Sequence, residues 1–321
     1  MMHVYVLAEH AGSEAGRELS PITGELITAA RDLGVVSVVV VGKPGVAEHL
    51  APELARLGAA QVIDASTEDY EERLITPEVD ALQALGAANP APIVIAATVS
   101  GNEIAGRLGA RLGAGVLANV TGIEANKAGH HEIFGGSYTT TAVAGGETPI
   151  FTLRPGSVKA QPQEAAGELA SMPLPAKTDR DVTVKGFTPK ARADRPELTA
   201  ASTVVSGGRG VASEEGYSDY VEKLADVLGA ATGSTRDIVD LGWAAPETQI
   251  GQTGATVSPD LYIALGISGA IQHTSGMQTS GTIVAVNQER DEPIFAIADI
   301  GVVADIEDFV PELIKALENR R

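Results

Sequence analysis

The run Leu261-Tyr262-Ile263-Ala264-Leu265 is apolar, ends in Gly266-Ile267-Ser268-Gly269, and passes into Ala270-Ile271-Gln272-His273. An apolar strand that stops at Gly-x-Ser-Gly and turns into a helix places Ser268 to cap that helix. The N–H groups of a first helical turn then suit an anion. A serine between glycines also raises the question of a hydrolase nucleophile. That elbow needs Gly-x-Ser-x-Gly, and position 270 is Ala270, so the reading fails. His273 stands alone on an apolar background, where a histidine is more often a hydrogen-bonded core residue than a catalytic one. His-x-x-x-His spacing and cysteine pairs are absent, and His130-His131 reads as a solvated turn.

Three more turns carry polar chemistry. In Val205-Ser206-Gly207-Gly208-Arg209-Gly210, glycines let backbone N–H groups approach a phosphate, and Arg209 adds a charge-assisted contact. An ordinary strand-to-helix turn with a solvated arginine fits as well, since the segment is neither a G-x-G-x-x-G fingerprint nor a P-loop. Thr235-Arg236 precedes an expected strand at 238–240 and by itself reads as solvated surface. Ile250-Gly251-Gln252-Thr253-Gly254 offers donors and acceptors between glycines, which suits a heterocycle with several polar edges, or a plain polar turn. Ligands of open α/β sheets collect at the carboxyl ends of strands, so four such turns together imply one large polar ligand.

The elements that must position these turns alternate between strand and helix. In the first half, strands are expected near 4–8, 35–41, 61–64 and 92–98. Helices are expected after Ser20-Pro21, over 47–57, 78–87 and 101–112. Ser20 reads as an N-cap with proline at the first helical position. Val35–Val41 is an apolar, valine-rich run, read as a strand buried on both faces. Segments 121–124, 131–134 and 137–143 suggest an antiparallel addition at the sheet edge. A Pro-rich, charged stretch over 171–196, interrupted by one strand at 181–187, marks a domain boundary. Beyond it, strands are expected at 201–206, 238–240, 261–266, 282–287 and 294–298, with a closing helix over 309–317. Tyr217, Val221, Leu224 and Leu228 share one helical face. The expected fold is α/β in two domains, each a mostly parallel sheet flanked by helices: an N-terminal structural and interface domain over 1–195 and a Rossmann-like ligand-binding domain over 196–321.

Composition narrows the function classes. Hydrophobic residues make up 44 % of the chain and aromatics 4 %, so the cores must be aliphatic, as parallel strands under helices require. There is no cysteine, which excludes disulfides, thiolate zinc and cysteine-held iron–sulfur clusters. The net charge of −19, from 23 basic and 42 acidic residues, repels a polyphosphate backbone, so nucleic acid is not an expected partner. No signal peptide or membrane span is legible, and the expectation is a cytoplasmic protein that is not membrane-embedded.

At these motifs the second domain resembles the FAD domain of electron transfer flavoprotein alpha subunits. The likeness runs through Ser206–Gly210, Gly251–Gly254 and Leu261–His273. It continues through Gly276-Met277, Thr282–Asn287, Pro293-Ile294-Phe295 and Ala298–Asp305, in order and over roughly a third of the chain. The first domain is similar only in its α/β pattern and in fragments such as Thr152-Leu153-Arg154-Pro155. The resemblance implies an FAD held at its pyrophosphate by Arg209 and Ser268, and at its adenosine end by Asn287 and Asp305. It implies Thr253 near flavin N5, with Gly251, Gln252 and Gly254 shaping that turn, and Gly269, Ala270, Ile271 and Gln272 in the cradle. Arg236, beside Thr235, is implied against the isoalloxazine ring, and His273 near its C2 carbonyl. Cationic donors there would stabilise the charge of a reduced ring, and a charge-assisted hydrogen bond contributes roughly 1.5–3 kcal/mol. Two positions depart from the family pattern: Thr235 replaces a common serine, and Ala255 a common lysine, which removes a cation near the flavin turn.

The resemblance further implies an electron carrier rather than an enzyme with its own substrate. It would take electrons from flavoprotein dehydrogenases such as the acyl-CoA dehydrogenases of fatty acid beta-oxidation and pass them to a quinone oxidoreductase or another acceptor. A beta subunit would complete the heterodimer and hold AMP. A subunit of an NADH-using electron-bifurcating flavoprotein, or a non-redox nucleotide-binding module, are the alternatives.

Overall fold

A computed structural model describes residues 3–11, 18–134, 136, 138–179, 181–186 and 195–319. The chain divides into two compact units, one of Met1–Ile133 with Ser137–Pro189, the other of Phe134–Gly136 with Lys190–Arg321.

In the first unit the strands are β1 (His3–Leu7), β2 (Val35–Gly42), β3 (Gln61–Ser66), β4 (Ile93–Ala96), β5 (Val116–Val120), β6 (Ala128–Ile133), β7 (Tyr138–Val143), β8 (Ile150–Leu153) and β9 (Glu168–Ser171). Seven of them form one parallel sheet in the order β9-β3-β2-β1-β4-β8-β5. The valine run earns its place by being buried on both faces. Val36, Val38 and Val40 join one core with Leu26, Leu50 and Leu54, while Val39 and Val41 join another with Val79, Leu82 and Leu108. Helices α1 (Ile22–Ala30) and α2 (Val46–Leu57) therefore cover one face, and α3 (Thr76–Ala88) and α4 (Val99–Leu112) the other.

Three expectations here are corrected. Segments 122–123, β6 and β7 are antiparallel but form a small sheet of their own rather than an edge of the large one. Pro21, already helical in φ and ψ, stands at the N-cap of α1 without a side-chain cap bond. Ser20 contributes its carbonyl to Thr23 N instead. The stretch 181–186 makes only an isolated bridge, Thr183 to Arg73, and Phe187 lies outside the described residues.

The second unit holds β10 (Thr203–Gly207), β11 (Ala231–Ser234), β12 (Leu261–Leu265), β13 (Thr282–Asn287) and β14 (Ile300–Val303), all parallel, in the order β11-β10-β12-β13-β14. One face packs on the helical segment that contains Tyr217, Val221 and Leu224 and on the closing helix Ile306–Glu318. The other packs on turns carrying Ile250, Val257, Met277 and Ile294. Two expected strands are helical. Arg236–Asp240 is a short helix, and the strand precedes it at β11. Within β11 the neighbours press close on Gly233, where a Cβ would lie 2.5 Å from Ile250 Cδ1 and 3.0 Å from Ser206 Oγ. Pro293–Ala296 is a 3-10 turn started by proline, so the last strand begins later, at Ile300. Among the described residues no helix is long and apolar enough to cross a membrane, and no cluster of His, Asp and Glu could hold a metal.

Candidate functional site

Strand order locates the site. From β10 the chain passes to β11 on one side, then returns to β12 on the other, so the carboxyl ends of β10 and β12 flank a topological switch point. The loops leaving those two ends touch. Gly208 N donates to Leu265 O at 2.9 Å and Gly210 N to Gly266 O at 3.0 Å. A Cβ on Gly210 would sit 2.6 Å from Gly266 Cα, and Gly266 has φ +61°. The glycines thus let two loops pack backbone on backbone. Asn287, at the end of β13, reinforces the second loop: its Nδ2 donates to Ile267 O at 3.1 Å while its Oδ1 accepts from Glu289 N at 3.0 Å.

Beside the switch point lies a cleft of about 260 Å³. Nine of the sequence-predicted site residues line it: Thr235, Arg236, Gly251, Gln252, Thr253, Ser268, Ala270, Gln272 and His273. Turn 250–254 is fastened to the helix Ile271–Thr274 by Gln252 N donating to Gln272 O at 2.8 Å. Gly251, at φ +135°, has no room for a Cβ against that same carbonyl. Ser268 is exposed and does not cap the helix, which starts three residues later with Ala270 as its N-cap and no side-chain cap bond. The expectation of a Ser268 cap is corrected accordingly.

The arginines at the cleft and at its edge are held by carboxylates that the sequence did not single out. Arg209 Nη2 meets Asp237 Oδ2 at 2.6 Å, and Arg236 Nε meets Asp240 Oδ2 at 3.2 Å, both pairs largely exposed. Exposed pairs of this kind contribute little to stability, so both arginines remain available to an anionic ligand. Asp237, Gln249, Ile250 and Ile267 also line the cleft. Gln249 Nε2 donates to Thr253 Oγ1 at 2.9 Å, a pairing whose only trace in the sequence is the spacing of four.

The cationic character expected of His273 is corrected. Its ring is 5 % exposed, with Nδ1 3.1 Å from Ile250 O and Nε2 2.8 Å from the Tyr262 hydroxyl. Burial lowers its pKa to about 4, so the imidazole is neutral near neutral pH.

The remaining predicted residues lie outside the cleft lining. Arg209 reaches its edge through Asp237, while Gly254 and Gly269 belong to the turns that form it and Ile271 opens the short helix beside them. Asn287 and Asp305 stand further along the same sheet edge. Asp305 is exposed and caps the closing helix by accepting from Glu307 N at 2.9 Å.

Two observations fit a large polar cofactor. The Thr235 hydroxyl oxygen is buried in the cleft wall with no hydrogen-bond partner among the described residues. Such an atom is costly unless a ligand or water satisfies it. The candidate residues also follow strand order along one edge: Thr235 after β11, Arg209 after β10, Ser268 after β12, Asn287 ending β13 and Asp305 after β14. Five strands set about 4.8 Å apart make a row of roughly 19 Å, the scale of an extended dinucleotide.

Comparison with known proteins adds the family. A family model described as "Electron transfer flavoprotein domain" matches residues 4–177, and one described as "Electron transfer flavoprotein FAD-binding domain" matches residues 197–278. The chain is 50 % identical over 322 residues to the electron transfer flavoprotein subunit alpha of Mycobacterium tuberculosis (strain ATCC 25618 / H37Rv), covering 100 % of both chains. It is 48 % identical to that of Mycobacterium leprae (strain TN) over the same span. It is 39 % identical to that of Syntrophomonas wolfei, covering 92 % of this chain and 94 % of the relative.

Proposed function

The chain belongs to the electron transfer flavoprotein alpha-subunit family, and from that premise we propose that it is the FAD-carrying half of a soluble, cytoplasmic electron carrier. Flavoprotein dehydrogenases, the acyl-CoA dehydrogenases of fatty acid beta-oxidation among them, would supply the electrons. A quinone oxidoreductase or another acceptor would receive them. A beta subunit would complete the heterodimer and hold AMP. No substrate bond is made or broken by this chain.

The observation that carries this reading is the row of site residues along the carboxyl edge of the second sheet, opening at one end into the cleft with its unpartnered Thr235 hydroxyl. Residue type along the row supports one orientation of the cofactor. The cleft end, with Arg236, Gln252 and Thr253, suits the polar edges of an isoalloxazine ring. The loops of Arg209 and Ser268 suit the pyrophosphate, and Asn287 and Asp305 the adenosine. FAD, when bound, supplies reversible electron uptake and release, and the chain's part is to hold and tune it. Arg209 and Arg236 can each exchange an exposed carboxylate for a ligand anion. With His273 neutral, Arg236 is the cationic side chain that lines the cleft among the described residues, a role made heavier by Ala255. The glycine-locked loops fix the backbone against which the cofactor lies.

The test is co-expression with the neighbouring beta-type subunit and a visible spectrum during stepwise reduction. A yellow complex that bleaches in two one-electron stages is expected. A colourless complex that takes up no added FAD would sink the cofactor assignment.

A further inference from the structure

We infer that Tyr262 is a positioning residue for the flavin site: its hydroxyl bonds His273 Nε2 and, with the Ile250 carbonyl on Nδ1, holds the imidazole and the turn bonded to it in one arrangement beside the cleft. The inference rests on the reading of the cleft as the flavin end of the site. Tyr262 lies in the middle of β12, is 0 % exposed, and sits in the core on the side of the sheet that faces turn 250–254. Its hydroxyl is 2.8 Å from His273 Nε2, and His273 Nδ1 is 3.1 Å from Ile250 O. The tautomer follows from the inventory of donors. A carbonyl oxygen can only accept, so Nδ1 carries the hydrogen. A neutral imidazole has one N–H, so Nε2 is the lone pair, and the hydroxyl of Tyr262 donates to it. Burial pushes the tyrosine above its usual range and the histidine below its own, so the proton stays on oxygen.

The same chain of bonds is mechanical. It runs from the interior of β12 through the imidazole to the Ile250 carbonyl, the residue that begins the turn bearing Gln252 and Thr253. Removing the hydroxyl leaves Nε2 buried and unpaired. The ring is then held at Nδ1 alone and can turn about that bond, and the turn's anchor is weakened. Among the described residues, His273 is the cleft residue that the Tyr262 hydroxyl bonds, so the polar effect of the hydroxyl on the cofactor site passes through that ring.

The experiment uses the flavin-loaded heterodimer with nitrogen-15-labelled histidine, in wild type and in Tyr262→Phe. The expected wild-type spectrum shows His273 as one Nδ1–H tautomer. In the variant the resonances of both ring nitrogens shift, the flavin midpoint potential moves, and FAD dissociates faster, by roughly tenfold at most for one neutral hydrogen bond. A wild-type Nε2–H tautomer overturns the proposal, and so does a variant with unshifted ring nitrogens and unshifted potential. A residue that merely filled the core would lower the unfolding midpoint without moving either readout. If Tyr262→Phe does not fold, the wild-type tautomer alone decides. A complex that binds no flavin yet shows the Nδ1–H form contradicts the cofactor reading and leaves the Tyr262–His273 pairing standing.

Discussion

At the scale of single residues, Thr235 is a group whose state should reverse with ligation. Its hydroxyl oxygen is buried and has no partner among the described residues, although the residue lines an open cleft. Thr235→Val keeps the shape and deletes the hydroxyl. The flavin-free protein should then gain up to about 1–2 kcal/mol, because an unsatisfied buried polar atom is removed. The flavin-loaded complex should instead bind FAD roughly 2- to 12-fold more weakly, the worth of one neutral hydrogen bond. Thermal unfolding without flavin and an FAD titration read the two signs, and an unchanged affinity would mean that the hydroxyl does not face the cofactor. Turn chemistry marked Gln252 and Thr253 in the sequence, since Thr and Gln between glycines carry their own signal, whereas Thr235 and Arg236 alone read as solvated surface and were singled out by the family resemblance. The protonation state of His273 was not legible. It depends on burial and on Tyr262, a neighbour only in space, just as the partner of Arg209 is Asp237, a residue 28 positions on.

At the scale of elements, the contact between the loops after β10 and β12 carries a prediction about stability and binding together. Gly210 does not need a positive φ, so alanine there is not a backbone problem. Its Cβ would meet the Gly266 backbone, which cannot swing aside as a flexible side chain could. Gly210→Ala should therefore destabilise the chain by about 1–3 kcal/mol, the usual effect of overpacking, and lower the unfolding midpoint by several degrees. Because the shifted loop carries Arg209, FAD retention should fall in the same variant. A midpoint within one degree of wild type, read by circular dichroism, would show that the loops can part without loss. The elements themselves were legible where the code is redundant, as in the valine run of β2. They were not where packing rather than propensity chose the residues. β11 carries Gly233 because Ile250 and Ser206 leave no room for a Cβ there, and the β-like Ile238-Val239 beyond it is helical.

Across the whole molecule, the same topological device occurs in both units, yet the chemistry placed on it differs. In the first unit the order β9-β3-β2-β1-β4-β8-β5 also reverses, between β1 and β4, and Glu9 and Thr98 follow those two strands. Thr98 caps α4 and donates its hydroxyl to Glu9 Oε1 at 2.7 Å. Burial raises the Glu9 pKa, and when ionised the carboxylate repels a phosphate from the helix end that would otherwise attract one. In the second unit the corresponding edge carries Arg209 and Arg236. Sequence reasoning reached the shared topology through strand–helix alternation. It could not reach this contrast, because Glu9 and Thr98 meet only once both strands are in place. The contrast predicts where a ligand leaves its mark. Hydrogen exchange on the heterodimer, with and without FAD, should slow at Gly208–Gly210, Thr235-Arg236, Ile250–Gly254 and Gly266–His273. The slowing can reach about 100-fold at a free-flavin concentration 100 times the dissociation constant, for amides that exchange only from the unliganded form. Amides around Glu9 and Thr98–Gly101 should be unchanged. Protection appearing at Glu9 and Thr98 instead would transfer the ligand to the first unit, against the charge that the sheet edge presents there.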